Sequence, residues 1–351
     1  MGAEGEPIRV KAIAKTQPAP GCDLIDVPEP SVTPGTVKVR VQRTSICGTD
    51  YHIWKWDPWA AGRIRPPRVI GHEWCGIVEE VGEGVERVRV GDFVAGESHI
   101  VCGECVQCRA GQGHVCANTR IIGVDIDGCF APWLVVPEAN ARVTDTTVPP
   151  EVATVQDPLG NAVHTTLAGP IEGRSVLVLG MGPIGLFSVA IAKACGSGKV
   201  IVTEVSDYRL AMAEAVGADL LLNPTRDDVV KQVYDATGGV GVDVALEMSG
   251  HPQAFEQAVE CTRAGGRISM LGIFPMNLTV DMDKVIFKGL ELQGIVGRRL
   301  WETWDQMGEL LSSGRLDIRS VITHHLHYTE FDKAMELITK GECGKVVFTV
   351  D

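Results

Sequence analysis

No run of about 18 uncharged apolar residues occurs in this 351-residue chain, so it offers no candidate for a membrane-spanning helix. Positive charge is scarce. The 32 Lys and Arg face 45 Asp and Glu, a formal net charge of −13. Such a balance speaks against nucleic acid and anionic membrane surfaces as partners. The opening MGAEGEPIRVKAIAK lacks the apolar core of a secretory leader, and the expected location is the cytoplasm. Internal repeats and low-complexity tracts are absent. The eleven cysteines are an odd number, and in a reducing compartment they are expected as thiols or metal ligands and not as disulfides.

What is present reads as two domains. Forty glycines suggest turn-rich β structure and close backbone approach to a ligand. Over the first ~150 residues, VKVRVQR alternates Val37, Val39 and Val41 with polar residues, the pattern of a half-buried strand. GIVEEVGEGVERVRVGDFVAG reads as short strands broken by glycine turns. Near Gly173 the texture changes to apolar strands alternating with helical stretches: RSVLVLG, LFSVAIAKACG, KVIVTEV and their successors. That alternation predicts βαβ units on a parallel sheet. An amphipathic helix around TWDQMGELLSSG and a last strand, KVVFTV, are expected to rejoin the first domain.

Gly180-x-Gly182-x-x-Gly185 follows an apolar strand and opens a helix, the context a dinucleotide fingerprint requires. The first glycine makes the turn, the second admits the pyrophosphate, and the third lets helix and strand pack. Glu204 lies 19 residues beyond Gly185, near the spacing expected for the acid that accepts from the adenosine ribose. A carboxylate there disfavours a 2′-phosphate, so NAD is expected over NADP, although Arg209 is of the type that serves NADP.

Cys102, Cys105, Cys108 and Cys116 form C-x2-C-x2-C-x7-C. Four thiolates so close suit a closed structural zinc, and spacing alone also permits an iron–sulfur cluster. Cys47, His72, Glu73 and Asp157 form a more scattered set whose donors fit an open catalytic zinc. Neighbouring His72 and Glu73 need an irregular backbone to face one ion, because adjacent side chains diverge.

ICGTDYHIW, GHEWCGIVEEVGEGV, the four-cysteine lobe and GMGPIG resemble the zinc-containing medium-chain dehydrogenases over essentially the whole chain. CGTDYHIWKWDPWA, QDPLGNAVHT, GRRLWETWDQM and VITHHL resemble the branch that oxidises L-threonine. The resemblance implies a GroES-like β-barrel domain at residues 1–160, completed by 300–351, and a Rossmann domain at 161–299. It places the active site in the cleft between them. It implies NAD and two zinc ions per chain, a small amino-acid substrate and a homotetramer. Catalytic zinc maps onto Cys47, His72 and Glu73, with Asp157 either a fourth ligand or a carboxylate that tunes the ion from behind. A hydroxyl relay maps onto Thr49 and His52. Cofactor contacts map onto Ile184, Glu204, Arg209, Leu271, Gly272, Ile273, Ile295 and Val296. For the substrate carboxylate the candidates are His99 and Arg299, while Trp54, Trp56 and Trp59 read as packing. The competing expectations are a polyol or diol dehydrogenase of the same family, a non-catalytic nucleotide-binding zinc protein, and a metal-free quinone reductase.

Overall fold

The computed structural model describes residues 8–275 and 277–350; the first seven residues of the segment read for a leader lie outside them. The chain divides into two compact units. One holds the residues up to Asp157 together with those from Ile322, and the other is the continuous segment Pro158–Val321.

In the first unit the alternating valines form the strand Thr36–Ser45, with Val37, Val39 and Val41 essentially fully buried. This strand is the hub of a seven-stranded sheet. It pairs antiparallel with Glu73–Val81, Trp133–Pro137 and Lys345–Thr349. Lys345–Thr349 runs parallel to Ile322–His327, so the end of the chain is woven into the sheet the early residues begin. A T-shaped contact between Phe130 and Phe348, with centroids 5.7 Å apart, and a further contact of Phe130 with Phe331 seal this return in the core. Two short helices follow the hub strand: α1, Gly48–Lys55, and α2, Pro58–Arg63.

The second unit is a six-stranded sheet with every pairing parallel. Its strands are β1 (Val176–Leu179), β2 (Val200–Thr203), β3 (Leu220–Leu222), β4 (Val242–Glu247), β5 (Thr262–Met270) and β6 (Glu291–Gly294), in the order β3-β2-β1-β4-β5-β6. Every residue of β1 is fully buried, as both faces of such a sheet are covered by crossover helices. The order reverses between β1 and β4, and the crevice beyond the carboxyl ends at such a point is where ligands bind in sheets of this kind. Helix α3, Pro183–Ala194, leaves β1 through the glycine turn.

The amphipathic helix foreseen near the end is Glu302–Ser312, burying Thr303, Trp304, Met307 and Leu310. It belongs to the second unit, and the chain re-enters the first at Ile322 and not at residue 300. An apolar stripe states that a helix is covered but not by which domain. No helix among the described residues is long and apolar enough to cross a membrane.

Asp243 ties the parallel sheet together. One carboxylate oxygen accepts from Ser175 N (2.8 Å) and Ser175 Oγ (2.9 Å), and the other from Arg263 Nε (2.8 Å). Burial alone raises the Asp243 carboxyl, but Ser175 and Arg263 outweigh it and bring the group down to about 2, against an ordinary 3.8. The folded carboxyl thus ionises below its unfolded value. Its stabilisation is present above that ordinary value and is lost as the pH falls towards about 2. Asp243→Ala should lower unfolding free energy by about 1–3 kcal/mol at neutral pH, read by denaturant titration, with a smaller difference in acid.

Candidate active site and metal centres

The hub strand ends at Ser45, and two residues later Cys47 caps α1 from an extended backbone. Cys47 is the N-cap, and its N–H donates to Asp50 Oδ2 at 2.9 Å. Gly71, at φ +91, bends the chain just ahead of His72, and a Cβ there would stand 2.4 Å from the Phe130 ring. This bend precedes the strand that opens at Glu73 and supplies the irregular backbone that neighbouring His72 and Glu73 need. Donor atoms of Cys47, His72 and Glu73 all lie within 4.8 Å of one another.

The surroundings fit a cation. Glu73 is fully buried. Its Oε2 is held by Ser45 Oγ and by Lys345 Nζ, while Oε1 has no hydrogen-bond partner. His72 Nδ1 and Asp50 Oδ1 are likewise buried without hydrogen bonds, 3.8 Å apart. Burial lowers the His72 imidazole, but the Cys47 sulfur, Asp50 and Glu73 overwhelm that effect and push it up to about 10. An enclosure that concentrates so much negative charge on one imidazole lacks positive charge, and a divalent ion held by soft and hard donors together would supply it.

Asp157 does not join this trio. Its Oδ1 accepts from Ser98 N at 2.9 Å. Thr49 Oγ1 lies 3.7 Å from Cys47 Sγ. His52, one helical turn on, has its side chain 56% exposed and pairs with Asp57. Trp54 and Trp56 pack against the core, whereas Trp59 is 46% exposed and makes a T-shaped contact with His52. His99 Nδ1 stands 3.6 Å from Glu97 Oε1, and Arg299 is 3.9 Å from Glu302.

The other sulfur group is compact. Cys102, Cys105, Cys108 and Cys116 place their sulfurs within 4.8 Å of one another, with Cys102 to Cys116 at 3.5 Å and Cys105 to Cys116 at 3.9 Å. A tetrahedron built on metal–sulfur bonds of ~2.3 Å has edges of about 3.8 Å, so sulfurs at these spacings suit a single ion. A multi-iron cluster, which spreads its thiolates over several metals, does not fit. Backbone N–H groups of Cys105, Cys108, Cys102 and Asn118 point at these sulfurs, at 3.3–3.5 Å. Such bonds, chiefly from Glu104 and Cys105, draw the Cys102 thiol down to about 6. All eleven cysteines are free of disulfides.

On the second unit, Gly180 follows β1 at φ +96, and Gly182 caps α3. A Cβ on Gly185 would meet the Gly180 carbonyl at 2.0 Å, so helix and turn close only around glycine. Gly180, Gly182, Glu204 and Arg209 line one cavity of about 390 Å³ with Ser249 and His251. Leu271–Ile273 follows β5, and Ile295 and Val296 follow β6, also beyond carboxyl ends of the sheet. Ile184 lies in the first turn of α3. Glu204 is engaged with backbone: Oε2 accepts from Met181 N at 2.8 Å, and Oε1 from Val205 N and Ser206 N.

Four buried groups escaped the sequence reading. Ser45 and Lys345 hold Glu73, Asp50 stands behind His72, and Glu247 accepts from Ser249 and Gly250 beside the glycine turn. Asp50 alone left a trace, as an acid in the first turn of a helix.

Cys102→Ser should release about one ion per chain and lower the melting temperature by several degrees, with the Cys47 centre still loaded. Metal analysis and calorimetry read both. Unchanged stability together with full metal content would remove the structural role.

The family model described as "Zinc-binding dehydrogenase" matches residues 183–313, and "Alcohol dehydrogenase GroES-like domain" matches residues 33–145. An L-threonine 3-dehydrogenase of Pyrococcus abyssi is 52% identical over 342 residues, 97% of this chain and 98% of that protein. Among solved structures, an alcohol dehydrogenase from Thermus sp. ATN1 superposes with a TM-score of 0.90 at 30% identity, over 97% of this chain and all of the other. An alcohol dehydrogenase from Escherichia coli CFT073, complexed with cofactor NADH, gives 0.89 at 30% identity, over 97% and 99%. With the paired sulfur centres, the β3-β2-β1-β4-β5-β6 sheet and these likenesses in agreement, the chain belongs to the zinc-binding medium-chain alcohol dehydrogenases.

Proposed function

We propose that this enzyme oxidises the β-hydroxyl of L-threonine with NAD, giving 2-amino-3-oxobutanoate. The observation that carries the substrate is likeness at 45–52% identity, over nearly the whole chain, to proteins named L-threonine 3-dehydrogenase from archaea and bacteria. Cys47, His72 and Glu73 would hold the catalytic zinc, and the four-cysteine lobe a structural one. When bound, the catalytic ion supplies electrophilic charge that acidifies the substrate hydroxyl, and the nicotinamide accepts the hydride.

The chain's own residues do the rest. Lys345 and Ser45 fix one oxygen of Glu73 and leave the other facing the centre. Asp50 backs His72 and keeps its ring turned in. Thr49 and His52 are three residues apart on α1 and so share one face of it. Thr49 Oγ1 takes the substrate proton beside Cys47 and passes it towards His52, whose exposed ring gives it to water. In the second unit, Gly180–Gly185 and the free N–H groups opening α3 receive the pyrophosphate. The Glu204 carboxylate sits where a 2′-phosphate would be repelled, which supports NAD. Asp157, which accepts from Ser98 N, would act from outside the ligand trio.

Further copies of this chain are the partners, as a homotetramer. Phe287 (85% exposed) and Ile286 (65%) lie side by side just before β6, the edge strand of the sheet, and contiguous exposed apolar groups mark contact surfaces. Eleven unbridged thiols suit the reducing cytoplasm.

Purified enzyme should reduce NAD with L-threonine at least about tenfold more efficiently than with sorbitol or 2,3-butanediol, and carry two zinc ions per chain. A diol preference would overturn the substrate assignment. His52→Ala should lower kcat roughly 10²-fold with zinc content unchanged. Wild-type turnover in that variant would take His52 out of the relay.

A further inference from the structure

Helix α1 ends on Trp56 at φ 56, ψ 48. It is the one non-glycine residue in the left-handed region among the described residues. A bulky side chain there carries a steric cost that surrounding contacts must hold in place. The Lys15 ammonium lies 5.0 Å from the Trp56 ring centroid, and Trp56 N donates to Ile53 O at 3.2 Å. The reversal folds the chain back on the helix it has just left. Asp57 N reaches His52 O at 3.4 Å, and Asp57 Oδ2 comes within 2.5 Å of His52 Nδ1.

Asp57 is itself fixed. Its Oδ1 accepts from Ala60 N at 3.0 Å and caps α2, with Pro58 as the first helical residue. One oxygen is therefore pinned by backbone and the other aims at the imidazole. Asp57 is the charged group set against His52. Lys55, on the same helix, turns instead to the Tyr51 ring, 4.8 Å from its centroid, and Asp50 faces His72. The Trp59 ring also flanks the His52 imidazole, with centroids 6.2 Å apart and planes at 63°.

A carboxylate can only accept, so Nδ1 is the donor and Nε2 is left as the proton acceptor. We propose that Asp57 is a positioning residue for proton release. It locks His52 in the Nδ1–H tautomer and supplies the counter-charge while the ring carries a second proton. This rests on the reading of His52 as the end of the relay. The proton that leaves the substrate hydroxyl by way of Thr49 forms the Nε2–H bond of an imidazolium, and that bond then breaks to water. Asp57 stays ionised throughout, and hydride transfer proceeds without it.

Asp57→Asn tests this without unfolding the segment, because Asn caps a helix as well as Asp does. With its oxygen kept on Ala60 N, its amide N–H₂ meets Nδ1 as a donor and forces the wrong tautomer. The variant should lose about tenfold in kcat. The KM for L-threonine and for NAD should stay within about twofold, with zinc content and melting temperature unchanged. Asp57→Glu should recover most of the loss. In a His52→Gln background, Asp57→Asn should cost nothing further, since a residue that acts through the imidazole has nothing left to act on. Wild-type kcat in Asp57→Asn, or losses that multiply with those of His52→Gln, would overturn the role of Asp57 and leave the relay standing. Wild-type turnover in His52→Gln alone would overturn the relay reading itself.

Discussion

Buried negative charge without enough positive charge beside it is the constraint around which the first unit is organised. Glu73 and Asp50 are wholly excluded from water, with the Cys47 sulfur beside them. One ammonium, that of Lys345, reaches in to take a single oxygen of Glu73. Desolvating that pair is costly, and it stays favourable only with good geometry and every remaining lone pair provided for. Ser45 satisfies part of that need, and a divalent ion at the trio would satisfy the rest. Much else serves to keep those groups in register: the bend at Gly71, the cap at Cys47, the aromatic seal of Phe130, Phe331 and Phe348.

The four-cysteine lobe solves a different problem with similar atoms. Its sulfurs are close enough to enclose an ion completely, and their backbone N–H donors stabilise thiolate charge before any metal arrives. Such a centre stiffens a loop that has little core of its own. The Cys47 centre offers three donors, one fewer than a closed tetrahedral site needs. Ligand count alone therefore separates scaffold from chemistry.

Local features were legible in the amino-acid order and distant ones were not. Gly180 to Gly185 could be read because turn, helix start and close packing all fall within six residues. The cysteine lobe could be read for the same reason. Cys47 with His72 and Glu73 was legible as a scattered donor set but not as one site, because the bend that lets two adjacent side chains face one ion has no local pattern. Lys345 was invisible. It sits in KVVFTV, an apolar strand, 272 positions beyond Glu73 (345 − 73), and no spacing rule links the two. Glu204 was found by its spacing, yet the bonds it makes to Met181, Val205 and Ser206 come from tertiary structure. The helix Glu302–Ser312 was foreseen, but its stripe could not say which unit would cover it.

The weaving of Lys345–Thr349 beside Thr36–Ser45 also sets an order of events during synthesis. The parallel-sheet unit is one uninterrupted segment and can fold while translation continues. The barrel side cannot close, nor can Glu73 receive its lysine, until residue 345 has cleared the ribosome. Completion of the Glu73–Lys345 pair is thereby placed after assembly of the nucleotide-binding half, and a nascent chain stalled short of that point has an unfinished sheet edge.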